Sequence, residues 1–327
     1  MDKVFKTTNS QMKKLRSRGL NISGSRAKRI IEMENYYNLI NGYKDLFLDQ
    51  TYTGVDEKYL RGTNFFELHA LYLFDRELRN IFMRYILEIE NNVKSVLSHE
   101  FSRNYGHDNY LKIGNFDTVL KPHESNKTKA QKIGEVTELI ANLQKEISRQ
   151  LSKNNPMISH NMLTHGYVPL WVLVNTLTLG TISTFYSYMV QKDQNQIGKK
   201  FNLRPDELTS ILFILSIFRN ACAHDERFYG LKSVNKKGRP NMIKSNPLHA
   251  KLAIPKDSSG NYIYGKNDLF AVVIILKLML PKNSFNKFHS ALKTEIDKLD
   301  KQLNTISVED VLDKMGFPRN WITIKGM

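Results

Sequence analysis

From Thr63 to about Arg103, apolar side chains recur mostly at three- and four-residue steps: Phe65, Leu68, Tyr72, Leu78, Phe82, Ile86, Ile89, Val93, Leu97 and Phe101. That period marks one face of an α-helix, and no proline interrupts it. The spacing predicts a single helix of about 60 Å, long enough to be the spine of a bundle. A second stripe (Ile133, Val136, Ile140, Leu143, Ile147, Leu151) predicts an amphipathic helix over 131–152, broken at 154–156. Pro169 suits the first turn of a helix through Trp171, Leu173, Val174 and Leu177, with Gly180 allowing close packing before Ile182, Phe185 and Tyr188. Pro205 and Glu207 open the next helix, through Ile211, Leu212, Leu215 and Phe218 to about His224. Helices are expected again over 268–280 and 284–304, and a short one over 307–315 stops at Gly316. The fold class is all-α.

Between these elements the chain is polar. Ser25 is placed to cap a helix carrying Ile30, Ile31, Met33 and Tyr37; Gly54 and Gly62 bracket a loop; 104–130 reads as polar loop. Residues 230–265, rich in Gly, Pro, Asn and Lys, form an irregular excursion with a short hairpin at 262–264. Three parts follow: a basic helical N-terminal extension (1–60), a helical core (61–230), and a basic insertion with C-terminal helices packed on that core (231–327).

Charge narrows the partners. Forty-eight Lys and Arg face 32 Asp and Glu, a formal net charge of +16, which favours polyanions by long-range attraction. Nine of the basic residues crowd into 1–30, including Lys13, Lys14, Arg16, Arg18, Arg26, Lys28 and Arg29, against the single acid Asp2. They form either a solvated helical face or a phosphate-contacting arm. From Lys232 to Lys251 there are six more (Lys236, Lys237, Arg239 and Lys244 among them) and no acid, a composition fit to track a phosphate backbone or simply to stay solvated. The lone Cys222 excludes an internal disulfide and any multi-cysteine zinc site, and reads as a small core residue. His160 and His165 are not at a one-face helical spacing, and His107 and His123 fall in polar loop, so no metal site is expected. No Gly-rich phosphate loop is present and no cofactor is expected. The start has no apolar signal core, and the longest apolar run, 269–280, is too short to span a bilayer. The reading is a cytoplasmic protein with no membrane partner.

The helix ending near His224 is apolar on nearly every side over 211–218 and then abruptly carries Arg219, Asn220, His224 and Arg227. On an ideal helix Arg219 points with Leu208 and Leu212, whereas Asn220, His224 and Arg227 point with Phe213 and Ile217. Arg219 and His224 are then about 140° apart. They converge only through the long arginine side chain, a bend, or a second copy of the helix across a dimer. Asp75, Arg79 and Glu90 lie on or beside the apolar stripe of the long helix; Asp75 and Arg79, four apart, can pair. They are either buried structural ion pairs or supports for a site.

The segment Arg219-Asn220-Ala-Cys-Ala-His224 resembles the RNxxxH form of the motif in HEPN-superfamily ribonucleases, and its flanks, from Phe218 through Arg-Phe-Tyr to Gly230, resemble the Abi (abortive infection, AbiD/AbiF-like) family of bacterial phage defence. Other blocks agree in order: Leu15-Arg-Ser-Arg-Gly19, Tyr36-Tyr37-Asn-Leu-Ile-Asn-Gly-Tyr43, Leu71-Tyr-Leu-Phe-Asp75-Arg-Glu-Leu-Arg79 with Glu90, and Pro169-Leu-Trp171 through Asn175 to Gly180. The resemblance covers roughly 12–230. It implies a HEPN-like bundle that dimerises to build a metal-independent RNA-cleaving site from Arg219, Asn220 and His224, with Arg227, Asp75, Arg79, Glu90 and Asn175 in support. RNA is the substrate, and a structured noncoding antitoxin RNA is a possible controlling partner. Asn175 departs from the acidic residue that many relatives place there. The residue types suit the chemistry. Histidine titrates near neutral pH and serves as base or acid, and arginine forks onto phosphate oxygens.

Overall fold

The computed structural model describes residues 4–121, 124 and 127–327; Lys3 and His123, counted above, lie outside them. It is helical, and among the described residues strand-like pairing is limited to five isolated bridges. The spine is α3, numbered in chain order after α1 (Thr8–Ser17) and α2 (Gly24–Met33); it runs over Phe65–Tyr105, 41 residues. Asn64 caps it, accepting from the Phe66 amide, while Glu67 reaches back to the Asn64 amide. The buried Glu67 carboxylate also accepts the Asn304 and Thr305 amides at 2.7 Å each, so the same residue ties the C-terminal region to the start of the spine.

Around α3 lie α4 (Lys129–Ser152), α5 (Pro156–His165), α6 (Leu170–Leu173), α7 (Leu179–Tyr188), α8 (Gln191–Lys200) and α9 (Pro205–Ala223). Beyond them come α10 (Pro247–Lys251), α11 (Leu269–Met279), α12 (Lys282–Asp300) and α13 (Val308–Met315). α9 packs on α3, α7, α8 and α11, and α12 packs along α3. α11 is buried on nearly every side, as its unbroken apolar run predicts.

Several expectations are corrected. The helix from Pro169 does not continue: α6 stops at Leu173, and a turn precedes α7, which Thr178 caps from outside. Ser23, not Ser25, precedes α2, and the helix ends at Met33. Tyr37 therefore does not continue its apolar stripe. It opens a separate π-helical turn, Tyr37–Asn41, and is 67% exposed. In place of a hairpin at 262–264 there are single bridges, Lys256 to Tyr262 and Val234 to Pro240.

Candidate functional site

The inward face of α9 (Leu208, Ile211, Leu212, Leu215, Phe218) is buried. Its outer edge is not covered. Phe213 is 45% exposed, Ile217 is half-buried, and Asn220 and His224 are exposed. These four are spaced as one helical stripe. His224 caps the helix, its amide donating to the Asn220 carbonyl at 3.0 Å. Among the described residues, no group hydrogen-bonds to the His224 imidazole or the Asn220 carboxamide.

Arg219 turns the other way, toward α3. Its Nε donates to Glu90 Oε2 at 3.3 Å, and the other Glu90 oxygen accepts from Lys94 at 2.7 Å. The Arg219 side chain keeps 25% of its surface, and its two terminal nitrogens have no hydrogen-bond partner among the described residues. Glu90 thus grips one edge of the guanidinium and leaves the forked edge free for an anion. Cys222, half-buried beside it, has its thiol pushed up to about 12 by burial, as befits a packing residue.

Past His224 the chain turns on Asp225, at φ +54°, and docks back onto α3. Asp75 receives it. This fully buried carboxylate accepts the Phe228 amide at 3.0 Å, the Tyr229 amide at 2.5 Å, the Tyr43 hydroxyl at 2.6 Å and Arg79 at 2.7 Å. Burial raises its pKa, and these donors oppose the rise. Arg79 donates in turn to the Glu226 carbonyl at 3.0 Å and pairs with Asp225. Asp75 and Arg79 therefore fix the loop that leaves the motif, while Glu90 and Lys94, about four turns further along α3, fix Arg219.

Beside His224 lies a cleft of about 440 Å³ lined by Tyr37, Asn38, Asn41, Tyr72, Arg79 and Arg227, among others. Arg227 straps its two walls together, donating to the Gly42 carbonyl at 2.9 Å and pairing with Asp45 at 3.4 Å. Arg219 is not among the residues lining this cleft. A single chain holds the arginine on Glu90, leaves the histidine side chain without a partner among the described residues, and does not bring the two into one cavity. Among the described residues, no group of three or more His, Cys, Asp or Glu side chains is placed to hold a metal ion.

A family model described as an Abi-like protein matches residues 29–230. The chain belongs to the Abi-like family. The Abi-like stretch begins inside α2 and ends one residue after Tyr229. It takes in the spine, both charge pairs that grip the motif, and the motif itself. Neither the curated proteins nor the solved structures compared with the chain include a match.

Other residues singled out from the sequence are dispersed around this Abi-like core. Asn175 spends its carboxamide on the Trp171 and Val172 carbonyls, at 3.0 and 3.1 Å, and reaches no motif residue. In the basic extension, Arg18 is committed to Asp56 and Glu57, at 3.1 and 3.0 Å, and Arg16 donates to the Ile22 carbonyl at 2.7 Å. Arg26 lies over the Phe66 ring and Lys28 faces Glu32 at 3.7 Å. Lys13, Lys14 and Arg29 have no ion-pair partner among the described residues. The same holds for the exposed Lys232, Lys236, Lys237 and Arg239. Lys244 stands 4.0 Å from Asp206, in the first turn of α9. That is about 27 Å along the helix from His224, so this end of the insertion folds back from the motif rather than lying beside it. The cleft wall at 37–41 was given no role from sequence. It falls within the Tyr36–Tyr43 block that carries part of the family resemblance, but that block names no site role for Tyr37, Asn38 or Asn41.

Proposed function

We propose that this Abi-like protein is a bacterial abortive-infection effector of the AbiD/AbiF kind, a HEPN-type endoribonuclease that cleaves RNA at a site shared between two chains. The observation that carries the reading is the partner-free imidazole of His224, at the end of the uncovered stripe through Phe213, Ile217 and Asn220. A second copy packed along that stripe would cover its apolar part and bring a second His224 close by. In that arrangement one imidazole takes the proton from the ribose 2′-OH, whose oxygen attacks the adjacent phosphorus. The bond from phosphorus to the 5′-oxygen breaks, and the other imidazole, as imidazolium, protonates the leaving oxygen. The free edge of Arg219 meets the charge on the crowded phosphate. The products are a 2′,3′-cyclic phosphate and a 5′-hydroxyl, and the proton balance needs no metal ion. A structured noncoding RNA is the proposed controlling partner. The proposed compartment is the cytoplasm; no helix among the described residues is long and apolar enough to cross a membrane.

The test is cellular RNA from hosts expressing the wild type, His224→Ala or Arg219→Ala, with RNA ends mapped. The wild type is expected to produce cyclic-phosphate ends, and His224→Ala to lower cleavage by about 10²-fold or more, the scale of losing an acid–base group. Equal cleavage by wild type and His224→Ala defeats the reading. RNA that copurifies but is never cut leaves a non-catalytic RNA-binding dimer.

A further inference from the structure

We propose that the cleft beside His224 is a nucleobase subsite, seating one unpaired base of the RNA next to the cleaved phosphodiester and giving the reaction a sequence preference. This rests on the ribonuclease reading above.

Four groups in the cleft are uncommitted. The Tyr37 ring is 67% exposed. Among the described residues its hydroxyl has no partner, and neither do the carboxamides of Asn38 and Asn41 or the imidazole of His224. The neighbouring rings are fixed instead. The Tyr72 hydroxyl donates to Glu34 at 2.7 Å, and Tyr43 meets Tyr72 edge-on at 5.4 Å while holding Asp75. The cleft thus has rigid walls and one free aromatic face. Three of the four uncommitted residues, Tyr37, Asn38 and Asn41, sit on a single π-helical turn, Tyr37–Asn41, a distortion that often marks a functional position.

Charge decides what the cleft takes. Its two arginines are already matched, Arg227 by Asp45 and Arg79 by Asp75 and Asp225. Among the described residues neither cleft arginine is left free to seat a phosphate, and Glu226 adds an exposed negative charge at the rim. An aromatic face with carboxamides, each offering a donor beside an acceptor, suits a base instead: stacking on Tyr37 and edge contacts to Asn38 and Asn41. At about 440 Å³ the cavity takes a nucleoside and not a duplex, so the substrate is single-stranded where it is read.

The full-length protein is given a randomised oligoribonucleotide pool and the cut ends are sequenced. Tyr37→Ala is expected to lower kcat/KM by about 5- to 150-fold, the range for losing one stacked base, while Tyr37→Phe keeps the wild-type rate. Asn38→Ala combined with Asn41→Ala is expected to lower kcat/KM on the preferred sequence more than on the others, flattening the base preference at one position next to the cut. In a second arm, His224→Ala protein binds fluorescent single-stranded homopolymers of A, C and U, with and without Tyr37→Ala. Weakened binding that Tyr37→Phe spares supports the subsite even if no RNA is ever cut, in which case only the nuclease reading fails. Cleavage with rate and preference indifferent to Tyr37 overturns the subsite alone. Absence of RNA binding in every protein overturns both.

Discussion

Asp75→Asn tests whether a buried carboxylate holds the motif loop in place. Asparagine keeps the shape but exchanges one acceptor oxygen for an NH2 group. Placed at Oδ1, that group would face the Phe228 and Tyr229 amides, which can only donate; placed at Oδ2, it would face Arg79, the Tyr43 hydroxyl and the Phe228 amide, which Oδ1 also accepts at 3.2 Å. The hydroxyl can rotate to accept, whereas the guanidinium cannot. The cheaper arrangement puts the NH2 at Oδ2, gives up the Arg79 contact and the shorter Phe228 contact, and leaves both loop amides held only by a neutral oxygen, more weakly than by the carboxylate. A hydrogen bond to a charged group is worth ~1.5–3 kcal/mol, and breaking a buried pair costs ~3–5 kcal/mol. Arg79 retains Asp225 and the Glu226 carbonyl, which keeps the loss near ~3 kcal/mol. Urea unfolding reads the global loss. Hydrogen exchange reads the local one, and ~3 kcal/mol corresponds to ~150-fold faster exchange at the Phe228 and Tyr229 amides. RNA cleavage should fall as well, with His224 untouched. A loss under ~1 kcal/mol with unchanged exchange at those two amides would refute the role given to Asp75.

Two further outcomes are expected. Phe213→Asp with Ile217→Asp puts charge on the uncovered stripe of α9 and should yield monomers that do not cleave RNA, read by sedimentation; dimers of unchanged affinity would place the interface elsewhere. Burial pushes the Asp268 carboxyl up to about 6, so between the ordinary carboxyl value near ~4 and that point the folded chain holds more protons than the unfolded chain. Stability should therefore decline as pH climbs through that window in the wild type and not in Asp268→Asn; parallel melting curves for the two would count against it.

The long elements were legible because their burial is periodic. α3, α4 and α9 each present an apolar stripe, and α11 is apolar throughout. α5 and α8 carry no such stripe in the sequence. α8 is polar and packs through polar groups: Gln194 donates to the Tyr186 carbonyl at 2.8 Å, and Asp193 accepts the Tyr105 hydroxyl at 2.6 Å. Such contacts leave no hydrophobic period. The break between α6 and α7 was missed because Leu177 and Leu179 keep the apolar rhythm across a turn. At the site, the opposed directions of Arg219 and His224 followed from helical spacing. The partners of the charges on α3 did not, since a carboxylate on an apolar stripe does not name its donors. The cleft wall at Tyr37 is about 190 residues from His224 in sequence, and only the fold makes them neighbours.

Both ends of the motif are clamped to one uninterrupted rod. The guanidinium is held from Glu90 and the loop after the imidazole from Asp75, with unbroken helix between them. The offset between Arg219 and the loop that follows His224 is therefore metered by helical rise and not by loop length. Loops elsewhere can lengthen at little cost, but one residue inserted between these clamps would swing one about 100° past the other. Substitution can tune this stretch; insertion or deletion would dismantle it.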